Sequence, residues 1–207
     1  MIKLNFKSKL IYFFKICIML LIFCFNSHAE NLKISNNLIT IGSNEAKVKI
    51  KVFSSLTCPH CADFHAKIIP KIKKEYVDSG KVQIILIDFP LDIAAFNASK
   101  LLHCLDEEKQ IKFLDIIYEK QNMWTTGETI NDINDNLKKI VENLGINSAK
   151  FDKCLLDQRI SDKILDGRIN ANKKYSINST PTIVINEKKL EGSVDFKNIR
   201  KNIEKLI

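Results

Sequence analysis

The sequence has no internal repeat and no low-complexity linker. A solenoid or an array of small units is therefore excluded. No basic stripe interleaved with aromatics is present, so nucleic-acid binding has no support. Only Cys58 and Cys61 lie two residues apart; Cys104 and Cys154 stand alone, which is not zinc-finger spacing. Ala62 follows the second cysteine of the pair, where haem attachment needs a histidine. No lipobox precedes Cys17 or Cys24, which argues against a lipoprotein. No metal and no cofactor is expected.

The first 29 residues differ from the rest. Lys3, Lys7 and Lys9 form a basic head, and Leu10 to Phe25 is apolar except for Lys15. Ser27-His28-Ala29 closes the run with small residues at the minus-three and minus-one positions. This reads as a secretory signal peptide cut after Ala29. The rival reading, an uncleaved membrane anchor, suffers from Lys15, which leaves a core too short to span comfortably. Cleavage would leave four cysteines in an oxidising compartment, where disulfides persist. Removing the four leader lysines from the formal charge of +8 leaves +4. Those charges are scattered and mixed with acids, as on a solvated surface.

One stretch, Thr57-Cys58-Pro59-His60-Cys61, organises the remaining chain. A run with strand chemistry, Val48 to Phe53, precedes it. Phe64, Ile68, Ile72 and Tyr76 recur every fourth residue after it, as on a helix face. Thr57 is the expected N-cap, and Pro59 is tolerated in a first helical turn. Cys58 then meets unpaired backbone N–H groups and the positive end of the helix dipole. That setting favours thiolate over thiol. It also stabilises the dithiol and makes the disulfide a stronger oxidant. His60, if protonated, adds to this.

The other elements follow in order. Leu38 to Ile41 is a short strand. Pro70 should kink or split the first helix. Val82 to Ile87 reads as a strand buried on both faces. Two strands joined by a helix form a right-handed unit with a parallel pair. Residues 93 to 175 read as helices, with Trp124, the only tryptophan, plugging a junction between two of them. Strand chemistry returns at Thr182 to Ile185. Asn186-Glu187-Lys188-Lys189 reads as a hairpin turn leading into Leu190. Asp195 could cap a last helix carrying Phe196, Ile199, Ile203 and Leu206. The class is α/β: a βαβ unit, a helical block about 93–175, then ββα.

A lone Cys-x-x-Cys is half a zinc site, a haem attachment or a redox pair. The strand-to-helix position and the secretory leader favour redox chemistry. Cys104 and Cys154 have two readings. One is a structural disulfide across the helical block, contributing about 4 kcal/mol by chain entropy. The other is two buried thiols; the compartment favours the bond. His103 reads as a surface or satisfied histidine, and His65 as half-buried packing.

On these residues the chain resembles the DsbA-like thiol–disulfide oxidoreductases, a branch of the thioredoxin superfamily. Cys58-Pro59-His60-Cys61 carries the dipeptide of the best-known DsbA oxidases. Thr180-Pro181, before the Ile183 to Ile185 strand, resembles the superfamily's cis-proline loop. The helical block resembles the family's insertion between two thioredoxin halves. The similarity covers about residues 38 to 207 and implies one thioredoxin-like domain over 30–207.

By position, the resemblance implies that Cys58 is the exposed attacking sulfur and Cys61 the partly buried resolving one, together a redox-active disulfide. Pro59 and His60 would tune the thiolate. Pro181 would be cis against the pair, leaving the Thr180 backbone free to pair with an extended substrate. Implied partners are folding secreted proteins with free cysteines and a membrane quinone-linked reoxidant. The expected state is a periplasmic monomer. One departure stands out: Val52 occupies the strand position where many members have a buried acid that shuttles protons. That leaves the proton route of Cys61 open. Other readings are an isomerase or reductase, a peptide-binding chaperone, and a zinc-binding module. About eight residues separate Glu30 from the first strand, which leaves no room for an isomerase dimerisation domain. Lys51 stands where a Cys-x-x-Cys peroxiredoxin has proline.

Overall fold

The computed structural model describes residues 38–207. The expected signal peptide at 1–29, with its cleavage point and with Cys17 and Cys24, lies outside the described residues. Among the described residues no helix is long and apolar enough to cross a membrane.

Two strands centre the fold. β2 (Val48–Ser54) runs parallel to β3 (Val82–Asp88), with Val48 opposite Val82 and Ser54 opposite Asp88. β1 (Ile39–Ile41) pairs antiparallel with the outer side of β3. β4 (Thr182–Ile185) pairs antiparallel with the other side of β2, Phe53 opposite Thr182. β5 (Lys188–Lys189) closes the order β1-β3-β2-β4-β5. Being central, β2 delivers its C-terminal loop beside the loop that enters β4. That adjacency brings residues 58 and 180 together.

The connection from β2 to β3 holds α1 (Pro59–Lys67) and the short α2 (Ile69–Ile72), followed by a π-helical turn over Lys73–Val77. Pro70 lacks the N–H that a continuous helix would use, and the chain breaks at Ile68 just before it. Gly42 sits at φ +104, and a Cβ there would lie 2.8 Å from the Val82 carbonyl oxygen. A side chain at that position would force the β1 turn away from β3.

Both sheet faces are covered. Val48, Ile50 and Val52 point to one face by the two-residue alternation of a strand. There they pack with Phe64 and Ile72 and with Ile199 and Ile203 of α9 (Phe196–Glu204). Phe53 and Val184 point to the other face, against Phe89, Ala171 and Ile177.

Six helices lie between β3 and β4: α3 (Ile93–Cys104), α4 (Glu107–Glu119), α5 (Gln121–Trp124), α6 (Ile130–Glu142), α7 (Ser148–Leu156) and α8 (Gln158–Tyr175). The starts of four of them, α3, α6, α7 and α8, are capped by local side chains. Asp92 accepts from the Ala95 N–H (2.7 Å), and Asn147 from the Lys150 N–H (2.9 Å). Thr129 and Asp132 form a reciprocal capping box. At α9, Asp195 caps by accepting from the Asn198 N–H at 2.8 Å. Trp124 is fully enclosed, and its Nε1–H donates to the Ile117 carbonyl at 2.8 Å. Cys104 at the end of α3 is bonded to Cys154 of α7, with Cα atoms 6.1 Å apart. This helical core extends without a break to Leu56, Cys58 and Cys61.

The hairpin turn is shorter than the sequence suggested. Asn186 and Glu187 alone make it, both at positive φ (41° and 68°). Lys188 and Lys189 are already the returning strand. A two-residue turn with two positive φ angles follows the twist of the flanking strands better than a longer one. Glu187 tolerates the left-handed region while bonded to Lys51, Lys174 and the Tyr175 hydroxyl.

Candidate active site

Past the end of β2 the chain turns through Ser55 to Thr57 and enters α1. Cys58 is itself the N-cap residue, with extended φ −79° and ψ 120°, and Pro59 takes the first helical position. Thr57 does not cap this helix as expected. Its hydroxyl instead donates to Asp92 Oδ2 at 2.6 Å and lies 3.1 Å from Ser55 Oγ. The turn places Thr57 one residue before the cap, so its side chain faces α3 rather than the α1 N–H groups. Asp92 thereby does two jobs: one oxygen caps α3, the other holds the cysteine loop. The loop is also held from below. Gln121 is buried, and its Nε2 donates to the carbonyls of Leu56 (2.8 Å) and Cys58 (3.1 Å).

Cys58 and Cys61 are both unbonded thiols. The amide N–H of Cys61 closes the first turn onto the Cys58 carbonyl at 3.0 Å. Cys58 is not openly exposed as expected; only 9% of its surface is accessible, against 1% for Cys61. The covering group is the loop before β4. Cys58 Sγ donates to the Thr180 carbonyl oxygen at 3.3 Å. Burial pushes the Cys61 thiol up to about 12, and the adjacent Cys58 adds to the rise. The Thr180 hydroxyl and a Ser55 backbone contact favour the Cys61 anion without offsetting that burial. The two sulfurs are thus unequal: one at the rim, one held as a thiol inside.

The Thr180–Pro181 peptide bond is cis. Beside it runs a cleft of about 420 Å³, lined by His60, Phe64, Lys67, Thr180, Pro181 and Val194. Pro59 and His60 are both exposed at the mouth of α1. Thr180, whose carbonyl accepts from Cys58 Sγ, is on the cleft wall; Cys58 itself does not line it.

Behind the cysteines is a polar layer that the sequence did not announce. The Tyr118 hydroxyl faces Ser54, and burial holds that phenol well above its ordinary range, with Cys61 nearby adding to the effect. Asp88 accepts from Ser99 Oγ (2.7 Å) and pairs with His103 Nε2 (2.7 Å), both side chains being about nine-tenths buried. His103 is thus an interior histidine paired through Nε2, while its Nδ1 is buried without a partner. His65 pairs with Asp115 Oδ1 at 2.7 Å and packs tilted against Tyr118, ring centroids 4.9 Å apart at an interplanar angle of 37°. Val52 lies in the sheet core and contributes only an apolar wall here. Among the described residues, no three His, Cys, Asp or Glu side chains converge as metal ligands.

A family model described as thioredoxin matches residues 35–205. The chain belongs to the thioredoxin family. Its architecture is of the DsbA type, in which helices interrupt the thioredoxin halves. The crystal structure of Wolbachia pipientis α-DsbA1 superposes with a TM-score of 0.74 at 29% identity, covering 86% of this chain and 94% of that one. Disulfide bond formation protein D of Bacillus subtilis is 28% identical over 174 residues, 80% of this chain and 75% of its own length. A relative from Rickettsia bellii is 28% identical over 155 residues. That match takes in 74% of this chain and only 59% of the relative, so the chain spans about six-tenths of that protein.

Asp92, Gln121 and Tyr118 have no signature in the sequence. Asp92 reads there only as a polar residue ahead of a helix. Its second contact, like those of Gln121 and Tyr118, depends on how the insertion docks on the cysteine loop.

Proposed function

We propose that this protein is a thiol–disulfide oxidoreductase that donates a disulfide to secreted proteins in the periplasm. One observation carries the reading: two cysteines at the start of one helix, unequally buried, with the rim sulfur against the backbone of a cis-proline loop. A substrate thiolate attacks the Cys58 sulfur of the enzyme disulfide, and Cys61 leaves. A second substrate thiolate then attacks the substrate sulfur of the mixed disulfide, and Cys58 leaves. Cys58 stands at the N-terminus of α1, and its Sγ is the leaving atom of that second step. The oxidised substrate departs, and a second protein must reoxidise the dithiol; a membrane quinone-linked partner fits that chemistry. The names of the relatives support the exchange chemistry. The N-terminal sequence supports the compartment.

The direct test is a Cys61→Ser chain whose Cys58 is first converted to a mixed disulfide with 2-nitro-5-thiobenzoate, which leaves as the thiolate when the chain is then exposed to reduced periplasmic proteins. Mixed disulfides through Cys58 are expected to accumulate, since the resolving sulfur is gone. Absence of trapped adducts would sink the proposal. Equilibration of the intact pair with glutathione then fixes direction: an oxidising value is expected, and a strongly reducing one would assign a reductase instead.

A further inference from the structure

The exchange proposed above moves a proton into the protein interior. When a thiolate attacks Cys58, the Cys58–Cys61 bond breaks and its electron pair goes to Cys61. That sulfur is 1% exposed, and burial disfavours its anion. It must gain a proton as it leaves, and it must lose one when the disulfide re-forms. Bulk water has no direct access to it.

A cavity of about 20 Å³ lies against Cys61, enough for one water. Its wall is mostly apolar. The polar groups on it are Ser54, His65, Asp88 and Tyr118. Three are already engaged. Both Asp88 oxygens are taken, by Ser99 and His103, and the Tyr118 hydroxyl faces Ser54. His65 differs. Its side chain is nine-tenths buried, its Nε2 is fixed on Asp115, and its Nδ1 is buried without a hydrogen-bond partner. Because the Asp115 carboxylate accepts from Nε2, that nitrogen carries a proton and Nδ1 is free to gain or give one. His65 also follows Cys61 by four residues, which puts both on one face of α1. His103 has a similar unpartnered nitrogen but does not line the cavity.

We propose that His65 holds the proton that Cys61 gains and loses in each cycle, exchanging it from Nδ1 through one water in this cavity. This rests on the oxidoreductase reading of Cys58 and Cys61. In the reductive half, the substrate thiolate bonds to Cys58, Cys61 takes the electron pair, and the imidazolium of His65 gives its Nδ1 proton through the water to Cys61. The products are the mixed disulfide, the Cys61 thiol and neutral His65. In the oxidative half the same proton returns to Nδ1 as Cys61 attacks. Asp115 lies 62% exposed at the surface and supplies the countercharge to the imidazolium. The titratable groups facing His65 are Cys61 on its own helix, Asp115 and Tyr118 on α4, and Asp88 on β3.

The test is the pH profile for reduction of the Cys58–Cys61 disulfide by dithiothreitol. His65→Gln keeps a donor for Asp115 and cannot carry the proton. It is expected to slow the reaction by roughly 10²-fold below neutral pH and to erase a histidine-type break in the profile. Asp115→Asn changes only an exposed side chain, so folding is safe. It is expected to move that break to lower pH, because the countercharge is gone. An unchanged rate and break in His65→Gln overturns the inference. If that variant does not fold, an unmoved break in Asp115→Asn overturns it alone. A parent chain that exchanges no disulfide overturns this inference and the proposed function together.

Discussion

The sulfur of Cys58 lies 3.3 Å from the carbonyl oxygen of Thr180, although 122 residues separate them. The contact exists because β2 and β4 are neighbours in the sheet, so the exit of one strand meets the entry of the other. A sulfur placed there is covered by backbone rather than by a side chain. A chain that paired with this loop would lie beside that sulfur.

Asp92 couples the cysteine loop to the helical insertion. Asp92→Ala should lower stability by about 1–2 kcal/mol, the usual range for losing an N-cap. Thr57→Val should cost less. The double variant should fall short of the sum, because both remove one shared hydrogen bond. Urea unfolding of the four chains measures the coupling; strict additivity would show that the Thr57–Asp92 bond contributes nothing.

Gln121→Leu leaves two buried carbonyls, of Leu56 and Cys58, without that donor. The expected loss is about 1–3 kcal/mol. Hydrogen exchange should quicken at the start of α1 before it changes in the sheet. Equal protection in both chains would contradict this account of how the loop is held.

The Cys104–Cys154 bond closes a loop of 50 residues between α3 and α7. Replacing both by alanine should reduce unfolding free energy by about 2–4 kcal/mol. The exchange chemistry of Cys58 and Cys61 should survive below the melting temperature. Thermal denaturation and a dithiothreitol reduction assay separate the two effects.

Glu187 is held at about 2 by Lys174, Lys51 and Tyr175, below its ordinary 4.5. A depressed acid stabilises the fold above the unfolded value, and that contribution is lost as pH falls from about 4.5 to about 2. The group is half exposed and screened, so Glu187→Gln should cost only about 0.5–1 kcal/mol at pH 7. The difference from the parent should vanish near pH 2. A gap that persists in acid would assign the effect to packing instead.

Much of the site was legible in order along the chain. Val48 to Phe53 alternates as a half-buried strand must, and Pro59 suits the first turn of the helix that follows. Asp195 caps α9 because the residues around it are all local. Where local rules had two answers, the sequence misled. Thr57 has the chemistry of an N-cap, yet Cys58 takes that place because Asp92, 35 residues on, draws the threonine hydroxyl away. The Asn186-Glu187 turn is tighter than its polar run suggests, because β4 and β5 pair up to its edge.

By itself the sequence determined the elements, their order and the two cysteines at a strand-to-helix junction, since these follow from period, caps and spacing within a few residues. Only the tertiary structure decided how accessible each sulfur is, what lies against it and which histidine faces the interior. Those depend on strands and helices far apart in the chain, and a single amphipathic pattern says which face of a helix is buried but not what it is buried against. His65 shows the difference: its position marks it as packing, and only the docking of α4 gives one ring nitrogen a surface carboxylate and turns the other inward.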